Sequence, residues 1–354
     1  MSKLLSRVWF PSNYSIICAN EASQNSIQIG IASASLGDRP CCASMTVSPL
    51  FNIDSGVDQG CPPSMVGFLF YSADMLDIPN GKNREKGFRF IDDVCFVAHG
   101  PSFPVSNSKI KKMMECRGGG TEWSRSHHVN FEMDKNTLVQ CSQRQEKRAN
   151  SQKTSPVKHV PITIDGHVTK PVKSHKFLGI IIDKELHFKE QLANAVAKGT
   201  KYALTCCCLT TPSLGVKSRF NRLLLNSIII PKMLYGIDIW GMRMVAELGK
   251  RAGRKGQGRV VKRVLRTHTI TASGAMRTTA TDAAVAHADL TPMLFMLQKV
   301  CHQAYLCMTT LPPSNPIHRE VCLAACQCKR HKSPLHLVKA FGTHPKVTEE
   351  ILPL

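Results

Sequence analysis

The sequence predicts an α+β chain in which the strands come first and the helices last. Three observations carry that expectation. Phe88-Arg89-Phe90 and Val94-Cys95-Phe96-Val97 are two short apolar arms around Ile91-Asp92-Asp93. Ile162–Ile164 and Phe177–Ile182 are β-branched runs set apart by turn residues such as Asp165-Gly166. From Glu190 onward the chain is helical in character and broken only by loops with Pro and Gly.

Taken in order, residues 1–45 are rich in Ser, Ala, Cys and Ile, with one alternating run, Ile27 to Ile31, that predicts a short strand. They form an unassigned N-terminal segment. Phe51 to Ile53 is extended in character, Gly56 and Gly60 bracket a loop, and Ser64 to Asp77 predicts an apolar helix entered through Pro62 and Pro63. Asn107 to Cys116 predicts a second helix, stopped by Gly118-Gly119-Gly120, and Val129 to Val139 a strand region. The stretch 141–160 is polar, basic and aperiodic, which predicts an exposed connector. The domains expected are therefore 46–140, a connector, and 161–350.

Charge is divided unequally. Residues 1–140 hold 13 basic and 13 acidic side chains, whereas residues 141–354 hold 33 and 12, so the second part carries the whole excess of +21. A polyanionic partner for that part is the simplest inference. The 15 cysteines show no even framework of spacings, which points to reduced thiols inside the cell, and the basic excess favours the nucleus over the cytoplasm. The longest apolar-looking segment, 223–240, is interrupted by Asn226, Pro231, Lys232 and Asp238, so no membrane partner is expected.

The chemistry lies in two signatures 33 residues apart: Gln59-Gly60-Cys61-Pro62-Pro63-Ser64, then Phe90-Ile91-Asp92-Asp93. Adjacent aspartates at a hairpin turn repel each other unless a cation sits beside them, and a divalent metal is the obvious one. The order and spacing resemble the palm of a reverse transcriptase, in particular that of fungal non-LTR retrotransposons. This resemblance implies a partial palm (an antiparallel sheet with helices) followed by a mostly helical thumb region. It implies that Asp92 and Asp93 are catalytic, metal-binding carboxylates for Mg²⁺, and that Gln59, Gly60, Pro62 and Ser64 contact template and nucleotide.

Further segments extend the resemblance to about residues 46–350. Trp123, Asn130, Phe131, Glu132 and Lys135 are similar to the next motif, with Lys135 as candidate proton donor. Phe177-Leu178-Gly179 resembles the primer grip, and Pro231 to Gly236 and Arg277 to Asp282 resemble thumb motifs. The partners implied are an RNA template, a DNA primer and deoxynucleotides.

One element departs from the family. Two-metal nucleotidyl transfer also needs carboxylates on a neighbouring strand. The acidic residues before Gln59 are Glu21, Asp38, Asp54 and Asp58, and none has the expected aspartate then Phe/Tyr-Asp context. The first palm strand is therefore expected to be absent, and the protein to be a truncated polymerase with weak or no catalysis. The alternative is a non-catalytic nucleic-acid-binding protein built on the basic thumb. Its candidate phosphate contacts are Lys250, Arg251, Arg254, Lys255, Arg259, Lys262, Arg263 and Arg266, a run that would equally suit nuclear import or a solvated loop. Cys322, Cys326, Cys328 and His331 lack the paired spacing of a zinc knuckle.

Overall fold

The structure is a computed structural model that describes residues 13–20, 62–91, 93–129, 131–142, 144–147, 154–209, 218–241, 244, 257–315, 317–327 and 335–342. The chain divides into two compact units, Pro11–His175 and one made chiefly of Lys176–Leu354. The architecture is α+β, with the large sheet in the first unit and the long helices in the second.

In the first unit the order is β1 (Asn13–Asn20), α1 (Pro62–Tyr71), β2 (Glu85–Phe90), β3 (Asp93–Gly100), α2 (Phe103–Glu115), α3 (Gly120–Ser126) and β4 (Thr137–Cys141). These strands lie in the order β2-β3-β1-β4, each antiparallel to its neighbour. With α1 joining β1 to β2 and α2 following β3, the result is two interleaved, split βαβ units. The apolar helix expected over 64–77 ends at Tyr71 and continues as a 3-10 turn, Ala73–Asp77.

β3 is the central plank because its residues from Val94 to Ala98 are all buried, as a strand covered on both faces must be. Val94, Phe96 and Ala98 pack with Ile110, Met113 and Met114 of α2, Trp123 of α3 and Leu138 of β4. A strand that the sequence did not announce, β1, lies between β3 and β4. Its sequence, Asn-Tyr-Ser-Ile-Ile-Cys-Ala-Asn, lacks period-two alternation, so no strand was legible there. The strand expected at Ile27–Ile31 lies outside the described residues.

The stretch expected as connector holds β5 (Gln145–Lys147) paired with β6 (Thr154–Pro156), and is followed by the hairpin β7 (Ile162–Ile164) and β8 (His167–Thr169). β9 (Pro171–Val172) adds to β4 in parallel. The far end of the connector is docked rather than loose. Fully buried Gln140 donates from Nε2 to the Val160 carbonyl (2.7 Å) and to Asn107 Oδ1 (3.1 Å), and its Oε1 accepts from Val160 N (3.0 Å). Asn107 Nδ2 completes the set on the Val160 and Pro161 carbonyls at 3.1 and 3.3 Å.

The second unit opens on the hairpin β10 (Ser174–Phe177) and β11 (Ile180–Asp183). It continues with α4 (Lys189–Cys208), α5 (Ser218–Leu224), a π-helical turn (Leu225–Ile229), α6 (Ile230–Met233) and α7 (Ile237–Trp240). Pro231 at the start of α6 cannot donate to the ladder, which accounts for the widened turn before it. Then come α8 (Gln257–Ser273), α9 (Thr281–His287), α10 (Met293–Thr309), α11 (His318–Gln327) and α12 (His336–Phe341). α4 crosses its neighbours closely at Gly199, where a Cβ would stand 2.7 Å from Met233 Sδ and 3.2 Å from Val264 Cγ1. No described helix is long and apolar enough to cross a membrane.

Candidate functional site

The two arms around the Asp pair form a hairpin. β2 and β3 pair from Glu85↔Ala98 to Phe90↔Asp93, so the chain reverses between Phe90 and Asp93. Ile91 has φ 57°, a left-handed conformation that a β-branched residue adopts only at a cost. Arg89 holds this turn in place. Its Nε donates to the Ile91 carbonyl at 2.7 Å, its NH1 to the Ser72 carbonyl at 3.0 Å, and its guanidinium lies 4.7 Å from the centre of the Phe68 ring. One cation thereby ties the hairpin tip to the end of α1, the helix that starts at Pro62.

Asp93 is the first residue of β3 and half-buried. Its opposite number across the sheet on β1 is Asn20. No residue of Asn13–Asn20 carries a carboxylate. Among the described residues no three His, Cys, Asp or Glu side chains gather as metal ligands. Asp92, Gln59 and Gly60 lie outside the described residues; Pro62 starts α1, and Ser64 is half-buried within it.

Lys135 sits in a 3-10 turn, Met133–Lys135, with its ammonium on the Glu132 carboxylate three residues earlier, and both groups reach solvent. Asn130 lies outside the described residues. Trp123 has a different part. Its indole Nε1 donates to Asp74 Oδ1 at 2.7 Å, while its ring stacks on His127 at 4.4 Å.

His127 reaches Asp74 Oδ2 at 3.2 Å through Nε2, and Ser126 Oγ lies 3.0 Å from Nδ1. The set has the members of a hydrolytic triad and not its chemistry. Nδ1 also faces the Trp123 carbonyl at 3.1 Å, and Ser126 Oγ donates to that same oxygen at 3.0 Å, so no lone pair is left to take the serine proton. The cluster fastens α3 to the Ala73–Asp77 turn.

In the second unit Leu178 and Gly179 form the two-residue turn between β10 and β11, with φ 46° and 84°. Both values are positive, as a type I′ turn requires. Phe177 is buried, and the Tyr235 hydroxyl donates to the Leu178 carbonyl at 3.2 Å. A Cβ on Gly179 would come within 3.2 Å of the Tyr235 ring. The expected primer grip is a tight hairpin tip backed by a tyrosine.

Of the basic run, Lys250, Arg251, Arg254 and Lys255 lie outside the described residues. The other four lie on α8. Lys262 pairs with Asp282 at 2.6 Å. Arg266 donates to the Thr279 carbonyl and Thr281 Oγ1, both at 2.8 Å, and to the Arg277 carbonyl at 2.5 Å. These two cations organise the 277–282 segment. Arg259 and Arg263 are exposed on the same helix.

Sequence reasoning missed the most polar interior place in this unit. Asn221 and His268 are 3% and 1% exposed, yet Asn221 Oδ1 makes no hydrogen bond, and the His268 ring makes no well-formed one beyond its approach to the Asn221 main chain. Position 268 follows Val261, Val264 and Leu265 at helical spacing, so a histidine within the core stripe of α8 was the available signal. Comparison with protein-family models, with curated proteins and with solved structures returns no match for this chain.

Proposed function

We propose that the chain is a reverse-transcriptase-like protein of a retrotransposon that binds nucleic acid and polymerises DNA weakly or not at all. One observation carries the reading: the Phe90-Ile91-Asp92-Asp93 segment closes a β-hairpin inside an antiparallel sheet, with a strained turn held by Arg89. Strain of this kind gathers at functional turns. The sheet with its flanking helices suits a palm, and the helical second unit suits a thumb. Mg²⁺ would supply charge neutralisation for phosphoryl transfer, but β1 adds no carboxylate to hold it. The remaining role is to hold RNA template and DNA primer through backbone phosphates.

A second reading, a non-catalytic basic nucleic-acid-binding protein, is favoured by the exposed Arg259 and Arg263 on α8. One pair of measurements tests both. Primer extension on an RNA template with Mg²⁺ or Mn²⁺ is expected to give no product, and template-dependent incorporation abolished by Asp92→Asn would overturn the claim of weak or absent catalysis. Fluorescence anisotropy with single-stranded RNA is expected to show affinity falling steeply as salt rises. In Arg259→Gln/Arg263→Gln the log–log salt slope should drop by about 1.4, at roughly 0.7 for each phosphate no longer neutralised. Salt-independent affinity would defeat both readings.

A further inference from the structure

Three cations meet at the end of β3 opposite to the Asp hairpin. Arg84, the residue before β2, accepts from His99 N on its carbonyl at 3.2 Å and brings its guanidinium NH1 to 3.5 Å from His99 Nδ1. Lys109 of α2 donates to the carbonyl of the same histidine at 2.9 Å and to that of Asn83 at 2.6 Å. Arg144, just past β4, donates to the Pro101 carbonyl at 3.1 Å. Among the described side chains none of the three meets a carboxylate. Glu85, the acid next to Arg84, is buried and accepts from Asn80 N at 3.0 Å.

Like charges held this close repel, and the effect is felt at His99. Its pKa is lowered, first by burial and then by Arg84, Lys109 and Arg144 in turn, against a smaller pull from its own main-chain bond. Among the described residues no acid acts on it, and its opposite number on β1 is Tyr14. Arg84 also sits at φ 60°, a left-handed conformation that a residue with a Cβ adopts at a cost. The N-terminus of α2, which starts beside Pro101, adds to the positive field. Ser102 makes no side-chain cap bond there, and the first turn holds no acid.

The donors still open decide what fits. A guanidinium carries five N–H groups and an ammonium three, so after these contacts Arg84 and Arg144 keep open forks and Lys109 keeps one donor. Such forks match the several oxygens of a phosphate. We infer that Arg84, Lys109 and Arg144, with the His99 ring, bind a phosphate group at this end of the sheet. It comes either from a small free phosphate or from the backbone of a nucleic-acid strand, and both present the same oxygens. His99 lies six residues along β3 from Asp93, about 20 Å at 3.3 Å per residue. The inference does not depend on the polymerase reading, because its residues stand apart from the Asp hairpin and from α8.

The test is NMR of the histidine ring protons in the full chain, titrated with sodium phosphate and with sodium chloride at matched ionic strength, with His99→Gln used to assign the signal. The His99 signal should respond to phosphate and not to chloride. Its titration midpoint should also move to higher pH with phosphate bound, because the anion offsets the three cations. Arg84→Gln/Arg144→Gln should weaken the phosphate response at least about ten-fold, through the loss of charge-assisted bonds. Both side chains are exposed, so the melting temperature should hold; Arg144→Gln alone is the second variant, read in the same way if the first does not fold. No response specific to phosphate, or one of equal strength in the variants, would overturn the proposal.

Single-stranded RNA separates the sources. A log–log salt slope that drops by about 0.7 in the double variant assigns the phosphate to a strand, whereas an unchanged slope with the phosphate response lost assigns a free phosphate. Arg259→Gln/Arg263→Gln should leave the His99 response intact, which keeps failure of the nucleic-acid reading apart from failure of this one.

Discussion

Two buried asparagines, one in each unit, meet opposite fates. Asn107 in the sheet unit is bonded to Gln140 and to the Val160 and Pro161 carbonyls. Asn221 in the helical unit keeps its side-chain oxygen unpaired beside His268. A fold that completes its own polar groups gains rigidity from them, whereas one that leaves them open loses stability unless something else completes them. Asn136 Oδ1 in the sheet unit is also unpaired, but its amide nitrogen meets Met133 Sδ and no second polar group joins it.

The largest expected effect comes from opening the completed network. Gln140→Leu removes bonds to Val160, Asn107 and His159 and leaves the half-buried Val160 N–H without its partner, so the sheet unit should lose about 4 kcal/mol, roughly 1 per bond. Urea unfolding followed by a probe in that unit measures it, and a destabilisation smaller than that of one bond would mean the network is not what docks the 141–160 segment.

A smaller effect of opposite sign lies at the hairpin tip. Ile91→Gly should stabilise the same unit by about 1 kcal/mol, because glycine accepts φ 57° without strain. A destabilised variant would show that Ile91 packing outweighs its backbone.

The smallest concerns the helical side. Burial raises the Asp238 pKa against the pull of its own main-chain amide. A carboxyl with a raised folded pKa holds its proton where the unfolded chain has released it, so its ionisation weakens the fold as pH rises above the ordinary carboxylate range. Asp238→Asn should therefore raise the melting temperature at pH 8, and the gain should shrink as pH falls towards 4. A gain that grows with acid would reverse the assignment.

The hairpin at the Asp pair was legible because two apolar arms flank a turn, a pattern local in the chain. β1 was not, because a central strand of Asn, Ser, Ile and Cys shows no alternation, and its partners lie more than 70 residues away. The cations of α8 were legible as charge and not as partners. Lys262 and Arg266 face the 277–282 segment only once α8 and α9 are packed, so at least these two cations are spent on the fold. His268 was hidden differently: periodicity marks its position as interior, and nothing in a sequence says whether an interior histidine finds a bond.

The place of β1 sets the order in which this protein can be made. Asn13–Asn20 leaves the ribosome well before its neighbours, since the strands on either side of it end at Gly100 and Cys141. At roughly 5–20 residues per second, some 4–16 s pass before even the first neighbour has been synthesised. Through that interval a segment with Ile16, Ile17 and Cys18 has both edges open, a state that invites pairing with another nascent chain. A holdase chaperone would have its work here, on β1, long before the helical unit exists.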